Sequence, residues 1–348
     1  MNRNKLDQMF AKTKVEALIS EAPQTRLWYA DVQTSDGLIV IEKEKATLFV
    51  DSRYIEYANK KAKNVEIILI KENSVEEWFN KRQLKSIALE SNYLVKNWEN
   101  RIKKLTNAQK IEWVDSQELR IVKSQLEIEK MQQVIDVSLK AYNQFIQWIK
   151  PGITEKEAAA KLNYLLKING SDKESFDEII ASGSSSAEPH HHPTDKIIEN
   201  NSLLKIDFGG LLNGYAADIT RTFILGDSTK ANPKMLEILK IVEKAAALGR
   251  AHVKPGIKAS EIDKICRDYI ASKGYADNFL HSTGHGLGID VHELPSVSSK
   301  SDYILEPGMI ITVEPGIYIK GLGGARIEDD VLVTETGHYV FSRPEENK

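Results

Sequence analysis

The sequence holds a single cysteine in 348 residues, no apolar run near the ~18 residues of a membrane span, and almost no net charge. Each shortage removes a class of function. A lone Cys266 cannot close an intramolecular disulfide, and it excludes multi-cysteine zinc and iron–sulfur sites, so the expected compartment is reducing and cytoplasmic. Within Glu261 to Ile270 apolar residues recur at helical spacing, which makes Cys266 a packed small hydrophobe rather than a nucleophile. The stretch from Met1 to Val15 is too charged for a secretory signal. With 47 basic against 50 acidic side chains the net charge is −3, which gives no global field for nucleic acid or an anionic membrane. No glycine run is followed by the Lys-Ser/Thr of a phosphate loop, and nucleotide binding is rejected.

What is present is the composition of a folded protein, 41% hydrophobic and 28% charged, in a chain long enough for two domains of ~150 residues. From Leu6 to Ser116 short strand and helix patterns alternate. Gly37–Ile41 and Ala46–Val50 read as strands about a charged turn, Tyr54–Ala62 as a helix and Val65–Ile70 as another strand, together a small α/β domain over residues 1–118. Leu119 to Ile149 lacks Gly and Pro and is rich in helix formers, so one long helix is expected to open a second domain, 119–348. That second domain repeats itself. Lys150-Pro151-Gly152-Ile153 followed by Glu157 recurs 104 positions on as Lys254-Pro255-Gly256-Ile257 followed by Glu261. The strand Leu203–Asp207, entered from Ile198–Asn201, likewise recurs 107 positions on as Met309–Glu314, entered from Leu305–Gly308. Two matches in one order at nearly one offset indicate an internal duplication.

In each copy a strand ends in an acid, turns through glycine and returns to a second acid. Asp207 and Asp218 flank a turn containing Asn213-Gly214; Glu314 and Glu328 flank Gly321 to Gly324. A hairpin in each copy would set the two acids opposite one another, where like charges destabilise unless a cation lies between them. If the copies pack as a pseudo-twofold pair, four carboxylates converge and two divalent ions would balance them. Oxygen-rich ligation without thiolate favours manganese, with cobalt or zinc as alternatives. His281, His285 and His292 fall within twelve residues, and His190-His191-His192 occupies a polar loop; such imidazoles can ligate a metal, hold a carbonyl or move protons. His252 and His338 read as ordinary polar groups.

The segments Ile206–Gly209, Gly214–Phe223, His281–Glu293, Val313–Tyr318 and Arg326–Asp330 resemble the metallopeptidases that comprise Xaa-Pro aminopeptidases and prolidases. The resemblance runs from about Ile121 to the end, and Leu48–Tyr54 is similar to a signature of the creatinase-like domain that precedes it in that family. It implies an α+β architecture, a pita-bread fold with an internal pseudo-twofold repeat after a smaller α/β domain. It implies further that Asp207 binds one metal ion, His285 and Glu314 the other, and that Asp218 and Glu328 bridge both. A hydroxide between the ions would attack the bond before a proline, with Glu314 handling the proton, His292 and His190 holding carbonyl and substrate, His281 close by and Arg326 orienting the acids. Which of His190, His191 and His192 reaches the site stays open. The substrates implied are peptides with proline second, and the assembly a homodimer. Some prolidases follow the His-Glu-x-Pro segment with an arginine, but Ser296 stands there, which favours an aminopeptidase over a strict dipeptidase. Methionine aminopeptidase and a non-catalytic binding module are the further alternatives.

Overall fold

The computed structural model describes residues 1–93 and 95–347. The chain divides into two compact units, Met1–Arg120 and Ile121 onward, so the boundary falls two residues beyond the expected 118/119. The first unit is built on a six-stranded sheet in the order Glu66–Leu69, Ala46–Val50, Leu38–Glu42, Ala17–Ser20, Ser86–Glu90, Lys110–Val114. Its three central strands pair antiparallel and its outer strands are added in parallel. Helices such as Ile55–Lys61 and Ser74–Arg82 make the parallel crossovers, as parallel pairing requires.

The second unit opens differently from the expected helix. Residues 116–120 form one short turn of helix, 121–124 are not helical, and the long helix runs Gln125–Trp148. The stop has a local cause: the Glu127 carboxylate accepts the Ser124 backbone N–H at 2.9 Å, a capping interaction that fixes the helix start there. Lys123 is thereby freed to donate its backbone N–H to Gly308 O (2.8 Å) and its ammonium to buried Glu293 (3.1 Å).

The duplication seen in sequence is a duplication of backbone hydrogen bonds. Gly152 and Gly256 both adopt positive φ, 96° and 83°, after the helices that end before them, a conformation that costs glycine little. Gly152 N–H then donates to Ile198 O and Gly256 N–H to Leu305 O; Ile198 N–H donates back to Ile153 O and Leu305 N–H to Ile257 O. Isolated bridges join Thr154 to Ile197 and Lys258 to Ile304. Each copy next sends a helix, Glu155–Ile168 or Ala259–Ser272, over a sheet built on an acid-bearing hairpin. Two apolar clusters fill the space beneath, one around Phe145, Leu162, Ile206 and Phe208, the other around Val242, Ile262, Cys266 and Val313. Cys266 is buried in the second, its thiol pushed up to about 12 by burial, and it carries no chemistry.

Candidate metal centre

The first acid pair rides on strands Ser202–Phe208 and Ile219–Leu225. Asp207 stands opposite Thr220 rather than opposite Asp218, so the two acids are diagonal neighbours on one face. The turn explains the difference. Leu212 pairs with Tyr215, which centres the hairpin on Asn213-Gly214, and both turn residues have positive φ (53° and 78°), as a two-residue type I′ turn demands. That centre lies one residue beyond the midpoint of the acids, so the pairing partner moves by two residues, which preserves the face. The second hairpin pairs Val313 with Asp329 and Gly316 with Arg326, a register that sets Glu314 across from Glu328.

Hydrogen bonds between the hairpins draw the two pairs together. Glu328 N–H donates to Thr220 O (3.1 Å), Asp218 N–H to Asp330 Oδ2 (3.3 Å), and the Thr220 hydroxyl to Glu328 Oε2 (2.6 Å). In consequence ligand atoms of Asp207, Asp218 and Glu328 lie within 4.8 Å of one another, as do those of His285, Glu314 and Glu328, and those of Asp218, His285 and His292. All five residues expected as metal ligands therefore converge. His292, expected to hold substrate, comes within the same distance of Asp218 and His285, its ring centroid 4.4 Å from that of His285.

The cluster is under electrostatic stress that a cation would relieve. Burial, reinforced by the neighbouring carboxylates, raises Asp218 and Glu314 well above the carboxylate range and takes Glu328 to about 8. Asp207 Oδ1 is buried without a hydrogen-bond partner. An orphaned carboxylate oxygen among repelling acids, with oxygen donors outnumbering imidazoles, fits divalent cations of the harder kind.

Supporting groups orient these side chains. Nδ1 of His285 faces Gly286 O at 3.0 Å, so that nitrogen carries the proton and Nε2 is left free, 3.5 Å from Asp218 and from Glu314. Desolvation holds the His285 imidazole down at about 4 and that of His281 at about 3, which keeps both neutral. Arg326 donates to Asp207, to the Thr220 hydroxyl (3.0 Å) and to the Tyr318 hydroxyl (3.0 Å), and Tyr318 in turn lies 2.8 Å from His281 Nε2. Of the loop histidines, His191 has both ring nitrogens engaged, with Glu155 (2.8 Å) and Glu188 (3.0 Å), whereas His190 and His192 are exposed. Desolvation, with Arg326 as the next contributor, lowers His190, and it also feels Asp207 and His292, so it belongs to the cluster's surroundings. Tyr318, Thr220 and Glu155 had been given no roles; Tyr318 and Thr220 were signalled only by position within the motif segments, and Glu155 by nothing.

The acids and histidines line one cavity of about 390 Å³, with Phe176, Ile179 and Val291 supplying an apolar wall. Grouped carboxylates beneath an open cleft ringed by imidazoles define a metal-dependent hydrolase. Residues 129–335 match the model of metallopeptidase family M24, and residues 3–123 that of the creatinase/prolidase N-terminal domain. The chain belongs to metallopeptidase family M24. It is 39% identical over 351 residues to the uncharacterized peptidase YqhT of Bacillus subtilis, covering 98% of each chain. Among solved structures it is similar to the Xaa-Pro dipeptidase from Bacillus anthracis (TM-score 0.91, 34% identity, 97% of this chain and 96% of that one). It is also similar to an X-Pro aminopeptidase from Thermotoga maritima (TM-score 0.89, 32% identity, 97% of each). The α+β architecture, a smaller domain followed by a duplicated pita-bread domain, is the one these proteins share.

Proposed function

We propose that this protein is an Xaa-Pro aminopeptidase that hydrolyses the bond between an N-terminal residue and a following proline. The observation that carries the reading is the convergence of Asp207, Asp218, His285, Glu314 and Glu328 on one cavity, with a buried Asp207 oxygen left unpartnered. In this reading Asp207 would hold one divalent ion and His285 with Glu314 the other, with Asp218 and Glu328 contributing to both; the oxygen-rich set would suit manganese, with cobalt or zinc as substitutes. When bound, such ions make water acidic enough to attack at neutral pH and stabilise the negative charge that develops on the carbonyl oxygen. The chain's own residues do the rest. Glu314 takes the proton of the attacking water and passes it to the departing amine. Imidazoles at His292 and His190 hold the scissile carbonyl and the substrate backbone, and Arg326 fixes Asp207. His281, neutral and bonded through Tyr318 to Arg326, completes that brace.

A proline in second position has no N–H and a fixed φ, so its ring needs a shaped apolar wall, which Phe176, Ile179 and Val291 offer. Arg326 is the one Lys or Arg among the described residues lining the cavity, and it is committed to Asp207. That leaves little to capture the terminal carboxylate of a dipeptide and favours longer substrates; the dipeptidase reading is supported by the name of the Bacillus anthracis neighbour. Among the described residues no helix is long and apolar enough to cross a membrane. A cytoplasmic location, suggested by the single reduced cysteine, and a homodimeric assembly are part of the same reading.

The test is hydrolysis of Xaa-Pro and Xaa-Pro-Yaa peptides by purified protein before and after chelation. Activity on the tripeptide should vanish with the metal and return with manganese or cobalt. Full activity after verified metal removal would refute the reading, and turnover confined to Xaa-Pro would replace it with the dipeptidase.

A further inference from the structure

Lys205 is fully buried in the middle of the strand Ser202–Phe208, between Leu204 and Ile206, two residues before Asp207 and on the same face of the sheet. It forms no ion pair among the described residues. Instead its ammonium donates to three carbonyl oxygens of one turn, those of Glu188 (2.6 Å), Pro189 (3.2 Å) and Ser186 (3.3 Å), and lies 5.2 Å from the centre of the Tyr318 ring. A buried lysine without a direct ion pair, its charge supported only at a distance by Asp207 and Glu188, costs several kcal/mol, and a methionine would fill similar space without that cost. What a lysine adds is three N–H donors aimed at a single stretch of backbone.

That stretch carries His190. Its preceding carbonyl, Pro189 O, is gripped twice, by Lys205 and by Arg326 Nη1 (3.1 Å). The following residue, His191, is locked between Glu155 and Glu188. The backbone on both sides of His190 is therefore fixed, while the His190 ring makes no hydrogen bond among the described residues and lines the cavity above the acids. We propose that Lys205 is a positioning residue for catalysis, holding the 186–190 turn so that His190 meets the substrate in a single orientation. The proposal rests on the peptidase reading above.

The experiment is a double-mutant cycle on the metal-loaded protein: Lys205→Met, His190→Ala and both together, with kcat/KM measured on an Xaa-Pro-Yaa peptide and metal content on each sample. Lys205→Met should keep the wild-type metal content and lose about 10–100-fold in kcat/KM, the range for a displaced supporting partner. In the His190→Ala background the same change should cost no more than about twofold, because the two act as one unit. Wild-type kcat/KM in Lys205→Met, loss of metal, or an undiminished penalty in the His190→Ala background would each overturn the proposal. Should Lys205→Met not fold, Lys205→Gln enters the same cycle; if neither folds, the lysine is structural and the proposal fails. Failure of the underlying reading looks different, since wild-type protein would then show no turnover at all.

Discussion

Divalent cations should stabilise this protein far more at pH 8 than at pH 5. In the metal-free fold Glu328 titrates near 8 rather than 4.5, because burial and then Asp207 disfavour its charge, and Asp218 and Glu314 shift in the same direction. A carboxyl whose folded pKa lies above its unfolded value penalises folding as pH rises between the two. The penalty is absent below about 4.5, grows through the interval and is complete above about 8. At about 1.4 kcal/mol per pH unit, Glu328 alone contributes roughly 5 kcal/mol. Cations between the acids remove the penalty, so the thermal shift that manganese produces should widen by about 10 °C from pH 5 to pH 8, at ~2–4 °C per kcal/mol. Melting curves on chelated protein, with and without manganese across that range, measure it. Glu21, raised to about 7 chiefly by burial, gives the metal-free protein a pH dependence of the same sign, so the diagnostic is the difference between loaded and stripped samples. Glu328→Gln should flatten that difference. A manganese shift of equal size at both ends of the range would refute the reasoning.

Two further outcomes are expected. Asp218→Asn should lower peptide hydrolysis by more than about a hundredfold and reduce bound metal, yet melt no earlier than wild type when both are metal-free, because it deletes one of several repelling buried carboxylates; metal analysis and melting of the stripped proteins check this. Asp329 behaves oppositely. Burial would raise it, but Arg221, Arg250 and Arg343 surround it and hold it down at about 2, so its contribution is complete above about 4 and lost as pH falls toward 2. Asp329→Asn, leaving three arginines short of their shared anion, should cost about 3–5 kcal/mol in urea unfolding at neutral pH.

The four acidic ligands were legible because they flank glycine-containing turns between apolar strands and because the pattern occurs twice; His285 was legible as a ligand only through the family resemblance of its segment. Alternation then places both acids of a hairpin on one face for any pairing shifted by an even number of residues, since the side-chain period is two. The finer pairing was not legible. Whether Asp207 meets Asp218 or Thr220 depends on which two residues make the turn, and Asn213-Gly214 decided it through their positive φ. The start of the long helix was misplaced for a similar reason: helix propensity runs through residues 121–124, but Glu127 reaching back to Ser124 ends the helix there.

The sequence by itself determined the type of chemistry. A chain with one cysteine, doubled acid-bearing hairpins and clustered histidines can gather carboxylate oxygens and imidazoles but not thiolates, because ligand type is a property of the side chains and survives any detail of packing. Only the tertiary structure decided how those side chains behave. The hydrogen bonds from Glu328 to Thr220 and from Asp218 to Asp330 bring the two copies within ligand distance, and burial then raises their proton affinities. Lys205, which sequence shows only as a charge in an apolar strand, gains its three carbonyl partners from a turn that ends fifteen residues before it. Such contacts are set by long-range packing, and local patterns carry no record of them.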